Sequence, residues 1–386
     1  MNFELTEEQR QFREAVRGFA ERYLRDGALQ RAHSPDHPWD VAKLMARQGL
    51  LGITISEKDG GQGGTLMDAV IAIETVAQVC PKSADVVQAG NFGAIRVLAE
   101  YGTEDQKRRY LKRLLSGEGV ICVGMTEPEA GSAVTDLRTA AVPDGAGFRV
   151  SGEKVFTTHA QYAEVMLVYV RFGPGLDGIG SVLVERAAPG VSQGRPSRFL
   201  NGEEWVSTRF DGVYVPPENV VLREGGFRKQ IAGFNVERIG NAARALALGR
   251  YCYEQARQWA LQRRQFGRLL AEFQGLQWKF ADMKVKLDAG QLLLYRAALN
   301  AERGFPSAEE TAIAKAYCNQ AGFEICSEAM QVMGGMGYTE ETLVEWCFRK
   351  TRGWMIAGGS IEILKNRIAE SVFERSFSQR PSKTDK

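Results

Sequence analysis

The sequence predicts an α+β protein in three parts: an N-terminal helical domain (1–118), a middle β-sheet domain (119–229) and a C-terminal four-helix-bundle domain (230–386). Apolar residues recur at helical spacing at both ends of the chain. Between them lie short β-branched or aromatic runs separated by Gly and Pro. At 386 residues and 44% hydrophobic, the chain is long enough for two or three domains with their own cores.

In the first part, Thr6 followed by Gln9 can form a capping box. Phe12, Val16, Phe19 and Tyr23 then mark one helical face. DGGQGG (59–64) is a loop, whereas MDAVIAIETVAQV (67–79) and QKRRYLKRLLSGE (106–118) are helix-like. In the second part, GVICVG, GFRVSGEKVF, EVMLVYVRF, GSVLVER and STRFDGVYVP read as the strands of a sandwich or barrel. In the third, Leu246, Gly249, Tyr253, Ala256 and Ala260 form one stripe, and Leu276, Phe280, Met283, Leu287 and Leu294 another, as in a bundle of long helices.

A net charge of +2 gives no electrostatic case for nucleic acid or a membrane surface as partner. Six scattered cysteines without CxxC spacing read as reduced thiols, and three histidines (His33, His37, His159) leave little for a zinc site or a Ser-His-Asp triad. No apolar run reaches 18 residues and MNFELTEEQRQF reads as neither signal nor transit peptide, so the expectation is a cytoplasmic protein.

Chemistry concentrates in a few segments. MTEPEAGSAV (125–134) offers backbone N–H groups with the hydroxyls of Thr126 and Ser132; read alone, it is equally a polar turn. KVFTTHA (154–160) sets Phe156 before two hydroxyls on a strand, a pattern that core packing alone also produces. RRQFG (263–267), Phe273-Gln274 and QVMGGMGYTEE (331–341) are each weak signals singly.

In this order and spacing they are specific: the sequence resembles the FAD-dependent acyl-CoA dehydrogenase family over nearly its whole length. The resemblance implies the three-domain fold, FAD as cofactor and an acyl-CoA substrate. It places Thr126 on the pyrimidine side of the flavin, Phe156 against the ring where many members have Trp, Thr158 at flavin N5, and Ser132 at the CoA arm. Arg263, Phe266, Gln274, Gln331, Gly334 and Gly335 match positions that hold the adenosine and pyrophosphate of a neighbouring subunit's FAD. A homo-oligomer, in the family's manner a tetramer, and an electron-transfer flavoprotein as acceptor follow from the same likeness.

One departure is informative. WMIAGGSIEIL (354–364) resembles the segment, often written YEGT, on which many members carry their catalytic glutamate. Here Gly358 stands at that position, followed by Gly359 and by Ser360, which is assigned to the cofactor. Proton abstraction from an acyl thioester needs a base. Glu362 lies one helical turn on and points elsewhere. The better candidate is Glu237 in GFNVERIGNAA, because the isovaleryl-CoA dehydrogenase-like branch carries its base at the matching position. Asn235 and Arg238 beside it, with Gly358, are then assigned to the substrate. The plain alternative for Glu237-Arg238 is a solvated first turn of a helix. Asp85 is a second candidate base.

AEFQGLQWKFADM and IAGGS also resemble the redox-neutral desulfinase-like branch, which lacks a carboxylate at the position of Glu237 and has Arg where Asp85 stands. Both differences favour a dehydrogenase. The remaining alternatives are a dehydrogenase of acyl groups tethered to a carrier protein and a flavoprotein that binds a partner without turnover.

Overall fold

The computed structural model describes residues 3–301, 304–377 and 379. The N-terminal helices start where their caps dictate. Thr6, Thr65 and Thr103 each accept from the backbone three residues on, while Gln9, Asp68 and Gln106 return the bond, opening the helices Glu7–Tyr23, Leu66–Ala77 and Glu104–Leu115. Such a cap contributes about 1 kcal/mol. The Leu66–Ala77 helix is buried on nearly every face, between the first helix and the long helix of the C-terminal bundle. The short helices Ala84–Ala89 and Ala94–Tyr101 follow it.

The middle region is one hydrogen-bonded sheet of nine strands, mostly antiparallel. Ile121–Gly124 pairs in parallel with Val165–Arg171, which lies antiparallel to Ile179–Glu185. The other half is built on the long pair Gly147–Thr158 and Glu204–Val215. Phe148, Val150, Val168, Val182, Val206 and Phe210, drawn from both halves, close over a single core, so the sheet curls on itself. Two irregularities interrupt the long pair, one between Lys154 and Thr157. Such bulges bend a strand and re-aim its side chains.

The third region opens with the helix Gly226–Gln262, 37 residues long. The boundary expected at 229 therefore falls inside its first turn. The left-handed Gly225 (φ 75°) is the N-cap, and no β-branched run or Pro follows to stop the helix sooner. Helices Gln274–Leu299 and Ala308–Met333 pack beside it, and Leu343–Trp354 and Ile361–Val372 complete the region. Gly249 lets the long helix approach Gly322 closely. Both expected stripes face the core: Leu246, Ala256 and Ala260 are buried, as are Met283, Leu287 and Leu294. On the opposite side of Gln274–Leu299, Trp278, Val285, Leu292 and Leu299 recur every seven residues and are exposed in the single chain.

Candidate active site

The segment 125–134 is held from beneath by a buried ion pair. Lys154, fully buried on the strand, donates from Nζ to Glu127 Oε1 at 2.7 Å and to the Met125 carbonyl at 3.2 Å. The Glu127 carboxylate also accepts from the backbone N–H of Arg138 and Thr139 and from the Thr139 hydroxyl. Burial pulls the Lys154 ammonium down to about 8. Burial also works against the Glu127 charge, yet Lys154 and the hydrogen bonds hold that carboxyl below its ordinary range. The Thr126 carbonyl accepts from Val155 N–H at 2.9 Å, tying the loop to the strand that carries Phe156 and Thr158. Ser132 is exposed on the same loop.

Phe156 sits in the Lys154–Thr157 irregularity with φ 56°, and His159 has φ 64°. Left-handed backbone at bulky residues costs of order 1–3 kcal/mol, and such strain clusters at binding sites. The core-packing alternative for Phe156 fails: the ring is 54% exposed, with Trp205 at 4.6 Å between centroids as its nearest aromatic partner. Thr158, between two strained residues, lines a cavity with Lys82, Asp85, His159 and Glu203. A planar, partly apolar cofactor fits the exposed Phe156 ring beside the hydroxyl of Thr158.

Glu237, Asn241 and Arg244 share one face of the long helix, at i, i+4 and i+7. Gln88 Nε2, from the Ala84–Ala89 helix, donates to Glu237 Oε1 and, at 3.1 Å, to Asn241 Oδ1. Gly93 faces the other oxygen: a Cβ there would lie 3.1 Å from Glu237 Oε2. Burial raises the Glu237 carboxyl to about 7, against the opposing pull of Arg244, the Gln88 hydrogen bond and Lys315. The solvated-helix-start alternative fails, because Glu237 lies eleven residues into the helix, is half-buried and is held by Gln88 of another helix.

The glycine turn comes to the same place. Gly358 and Gly359 adopt φ 76° and 94°, and a Cβ on Gly358 would lie 2.9 Å from Asn241 Nδ2. Arg238 Nε donates to the Gly358 carbonyl at 2.9 Å and Nη1 to Asn235 Oδ1 at 2.9 Å. Lys315 Nζ donates to the carbonyls of Trp354 and Gly359 at 3.1 and 3.0 Å. Burial and the neighbouring Arg238 bring the Lys315 ammonium down to about 7. Ser360 caps the last helix, accepting from Ile363 N–H at 3.4 Å. Glu362 is fully exposed in that helix's first turn.

Asp85 is engaged elsewhere. Its carboxylate lies 3.0 Å from Arg244 Nη2 and 2.9 Å from Lys350 Nζ, within a buried group that includes Lys82 and Glu203.

Arg263, Phe266, Gln274, Gln331, Gly334 and Gly335 are all exposed, Phe266 at 94% with φ 51°. The ion pairs Lys279–Glu328 and Lys286–Glu324 fix the register of two antiparallel helices. That register brings Gln274 and the Gln331–Gly335 turn to one end, where the hairpin after Arg263 also lies. Arg263 is 26 residues beyond Glu237, roughly 39 Å along the helix at about 1.5 Å per residue. The six residues thus form a second group, remote from Glu237.

Gln88, Lys315 and the Glu127–Lys154 pair were not legible as site residues. Gln88 lies three residues after the candidate Asp85, which was the one available signal.

The site thus joins the Glu237 carboxylate and the left-handed Gly358–Gly359 turn in one hydrogen-bonded group. Comparison with known proteins gives the family. The chain matches the acyl-CoA dehydrogenase N-terminal domain over residues 6–118, the middle domain over 122–213 and the C-terminal domain over 224–373. It is 32% identical to an acyl-CoA dehydrogenase, short-chain specific, of Clostridium acetobutylicum, covering 97% of this chain and 100% of that one. It is 33% identical to a 3-sulfinopropanoyl-CoA desulfinase of Paraburkholderia xenovorans, over 98% and 100%. Butyryl-CoA dehydrogenase from Megasphaera elsdenii superposes with a TM-score of 0.90 at 28% identity, over 97% and 100% of the two chains. A structure from work on the electron transferring flavoprotein of Acidaminococcus fermentans superposes at 0.89 with 30% identity, over 96% and 99%.

The chain belongs to the acyl-CoA dehydrogenase family. It is an FAD-dependent enzyme of acyl-CoA dehydrogenation. No described helix is long and apolar enough to cross a membrane.

Proposed function

We propose that this enzyme removes the α-proton of its acyl-CoA with Glu237. The observation that carries the reading is the pairing of a half-buried carboxylate, held by Gln88 and raised to about 7, with a glycine turn where the alternative base would stand. A carboxylate at about 7 is a much stronger base than one in water and still about half ionised at pH 7. Gln88 donates to one oxygen and fixes the carboxylate plane, leaving the oxygen beside Gly93. Arg238 and Lys315 hold the Gly358–Gly359 carbonyls, so the backbone passes close without a side chain. Bound FAD would supply the acceptor for the hydride from Cβ, while Glu237 takes the α-proton. Thr126, Phe156, Thr158 and Ser360 would hold this flavin, with Ser132, Asn235, Arg238 and Gly358 toward the substrate.

The remote group around Arg263 and Gln331 serves a neighbouring subunit's FAD, because 39 Å along one helix exceeds the reach of a single dinucleotide. The exposed seven-residue repeat from Trp278 to Leu299 supports a homo-oligomer, a tetramer in this reading. We assign the electron acceptor to an electron-transferring flavoprotein. All six cysteines are free and buried, which suits a reducing cytoplasm.

The test is anaerobic mixing with acyl-CoA thioesters. Bleaching of the flavin by wild type, lost in Glu237→Gln, supports the reading; no bleaching across saturated, branched and cyclic thioesters sinks it. The likeness to a desulfinase gives the second reading: cleavage of the C–S bond of 3-sulfinopropanoyl-CoA with water, which puts a proton on carbon and releases the sulfinate group as sulfite, with no net flavin reduction. Sulfite assay with that thioester separates the two.

A further inference from the structure

The buried ion-pair group beyond Gln88 holds one cation more than its carboxylates answer. Lys82, Arg244 and Lys350 share Glu203 and Asp85. Lys82 and Lys350 reach Glu203 at 2.7 and 2.5 Å, Lys350 and Arg244 reach Asp85 at 2.9 and 3.0 Å, and Lys82 stands 3.8 Å from Asp85. Without Arg244, Lys82 would keep Glu203 and Lys350 would keep Asp85, two cations with two carboxylates. Arg244 is also loosely engaged within the group: its Nη2 meets Asp85 Oδ1 off the line of a hydrogen bond, and its Nε has no acceptor. Yet it is buried and fixed, with the guanidinium 4.0 Å from the centre of the Trp354 ring. A buried charge that its neighbours do not fully answer is costly, and calls for an anion nearby.

Glu237 is placed to be that anion. It shares a face of the long helix with Arg244, seven residues away, roughly 10 Å at about 1.5 Å per residue. Among the described residues it has no ion pair of its own within 4 Å. The two helices meet as a ladder. Asp85 and Gln88, one turn apart on Ala84–Ala89, face Arg244 and the Glu237–Asn241 pair in turn, so the Asp85–Arg244 contact sets the register at which Gln88 meets Glu237. The other cations near the base do not replace Arg244. Arg238 turns to the Gly358 carbonyl and Asn235. Lys315, on the helix Ala308–Met333, donates to two carbonyls; burial and Arg238 bring it down to about 7, so it loses charge over the range in which Glu237 gains it. An arginine stays charged throughout. Burial raises the Glu237 carboxyl, and Arg244 leads the groups that oppose it. We propose that Arg244 is a positioning residue for the base: pinned by Asp85 and Trp354, it supplies the unanswered positive charge that favours the Glu237 carboxylate and keeps Gln88 in register with it.

The test titrates Glu237 itself, so that it stands apart from turnover. In FAD-loaded enzyme without thioester, the infrared band of the protonated carboxyl that Glu237→Gln abolishes is followed from pH 5 to 9. Arg244→Met, similar in reach but uncharged, disfavours the ionised form and moves the midpoint up by about half a unit or more, the size expected for a permanent cation at roughly 10 Å with a dielectric between those of protein and water. Under saturating thioester the acidic limb of flavin bleaching moves with it, to about threefold slower reduction at pH 6. Lys350→Met is the matched control. It also leaves two cations with two carboxylates, but from another helix, and its midpoint stays at the wild-type value. Arg244→Lys keeps the charge and holds the midpoint near wild type, which loss of a merely structural contact would not predict. A wild-type midpoint in Arg244→Met, an equal shift in Lys350→Met, or a shift in Arg244→Lys as large as in Arg244→Met overturns the proposal. Should a methionine variant not fold, Arg244→Gln or Lys350→Gln carries the same expectation. Only the bleaching limb rests on Glu237 being the base: normal bleaching by Glu237→Gln would end that assignment, and the infrared midpoints would still decide the role of Arg244.

Discussion

Glu237→Gln keeps the shape of the side chain and its contact with Gln88 while removing the proton acceptor. FAD content and thermal stability should stay near wild type, because no ion pair within 4 Å is lost: Gln88 is the hydrogen-bond partner, and Arg244 acts only at longer range. General-base loss costs roughly 10²–10⁴ in rate. The pH profile gives a second, independent magnitude. With the carboxyl at about 7, roughly half is ionised at pH 7 and about one-tenth at pH 6, so flavin reduction should fall about tenfold per unit below 7. The sign is set by burial, which raises the carboxyl, and by Gln88, which opposes it through a hydrogen bond to the charged form. Gln88→Leu removes that opposition and should move the acidic limb to higher pH. The assay is stopped-flow flavin bleaching under saturating thioester, from pH 5.5 to 9. A Glu237→Gln protein that bleaches at near-normal rate, or a wild-type limb near pH 4.5, would refute the reasoning, and Asp85→Asn would be the next variant to make.

Thr158→Ala should slow flavin reduction by on the order of 2–4 kcal/mol of lost donor stabilisation while substrate affinity holds, as stopped-flow amplitude and rate separate. Arg263→Ala and Gln331→Ala should release FAD from the oligomer; a monomer of either that retains full FAD by absorbance would contradict a shared site. Lys154→Met leaves the Glu127 carboxylate buried without its cation, a change that typically costs about 3–5 kcal/mol, so the melting temperature and FAD retention should both drop. Gly358→Ala places a Cβ 2.9 Å from Asn241 Nδ2 at φ 76°, so it should lower stability by about 1–3 kcal/mol and slow reduction, read by thermal melts and bleaching.

The parts of this fold written in local periodicity were legible in the sequence. The Thr6–Gln9 capping box, the strands and both apolar stripes of the bundle depend on neighbours three, four or two residues away, and the structure contains each of them. The long helix begins at Gly226, four residues before the 230 at which the sequence reading opens the C-terminal domain, and its left-handed cap at Gly225 is visible only in the structure. The strain at Phe156 was hidden for a related reason: KVFTT alternates like any half-buried strand, and only pairing with Glu204–Val215 reveals the irregularity that turns the ring outward.

The site divides along the same line. Glu237 and Gly358 were found as a reciprocal pair, a carboxylate gained at one position and lost at the other, although 121 residues separate them. What the sequence does not carry is how the two positions are joined. Gly358 abuts Asn241, Asn241 shares Gln88 with Glu237, and Arg238 beside Glu237 binds the Gly358 carbonyl. The turn and Glu237 are thus two sides of one hydrogen-bonded assembly. A glutamate at 358 would have to displace Asn241 from a left-handed backbone before reaching any substrate. Restoring a carboxylate there in the Glu237→Gln background should therefore recover little activity unless Asn241 is also made smaller. Gly358→Glu with Asn241→Ala and Glu237→Gln tests this by flavin bleaching. Equal rescue with and without Asn241→Ala would show that the contact does not govern the exchange.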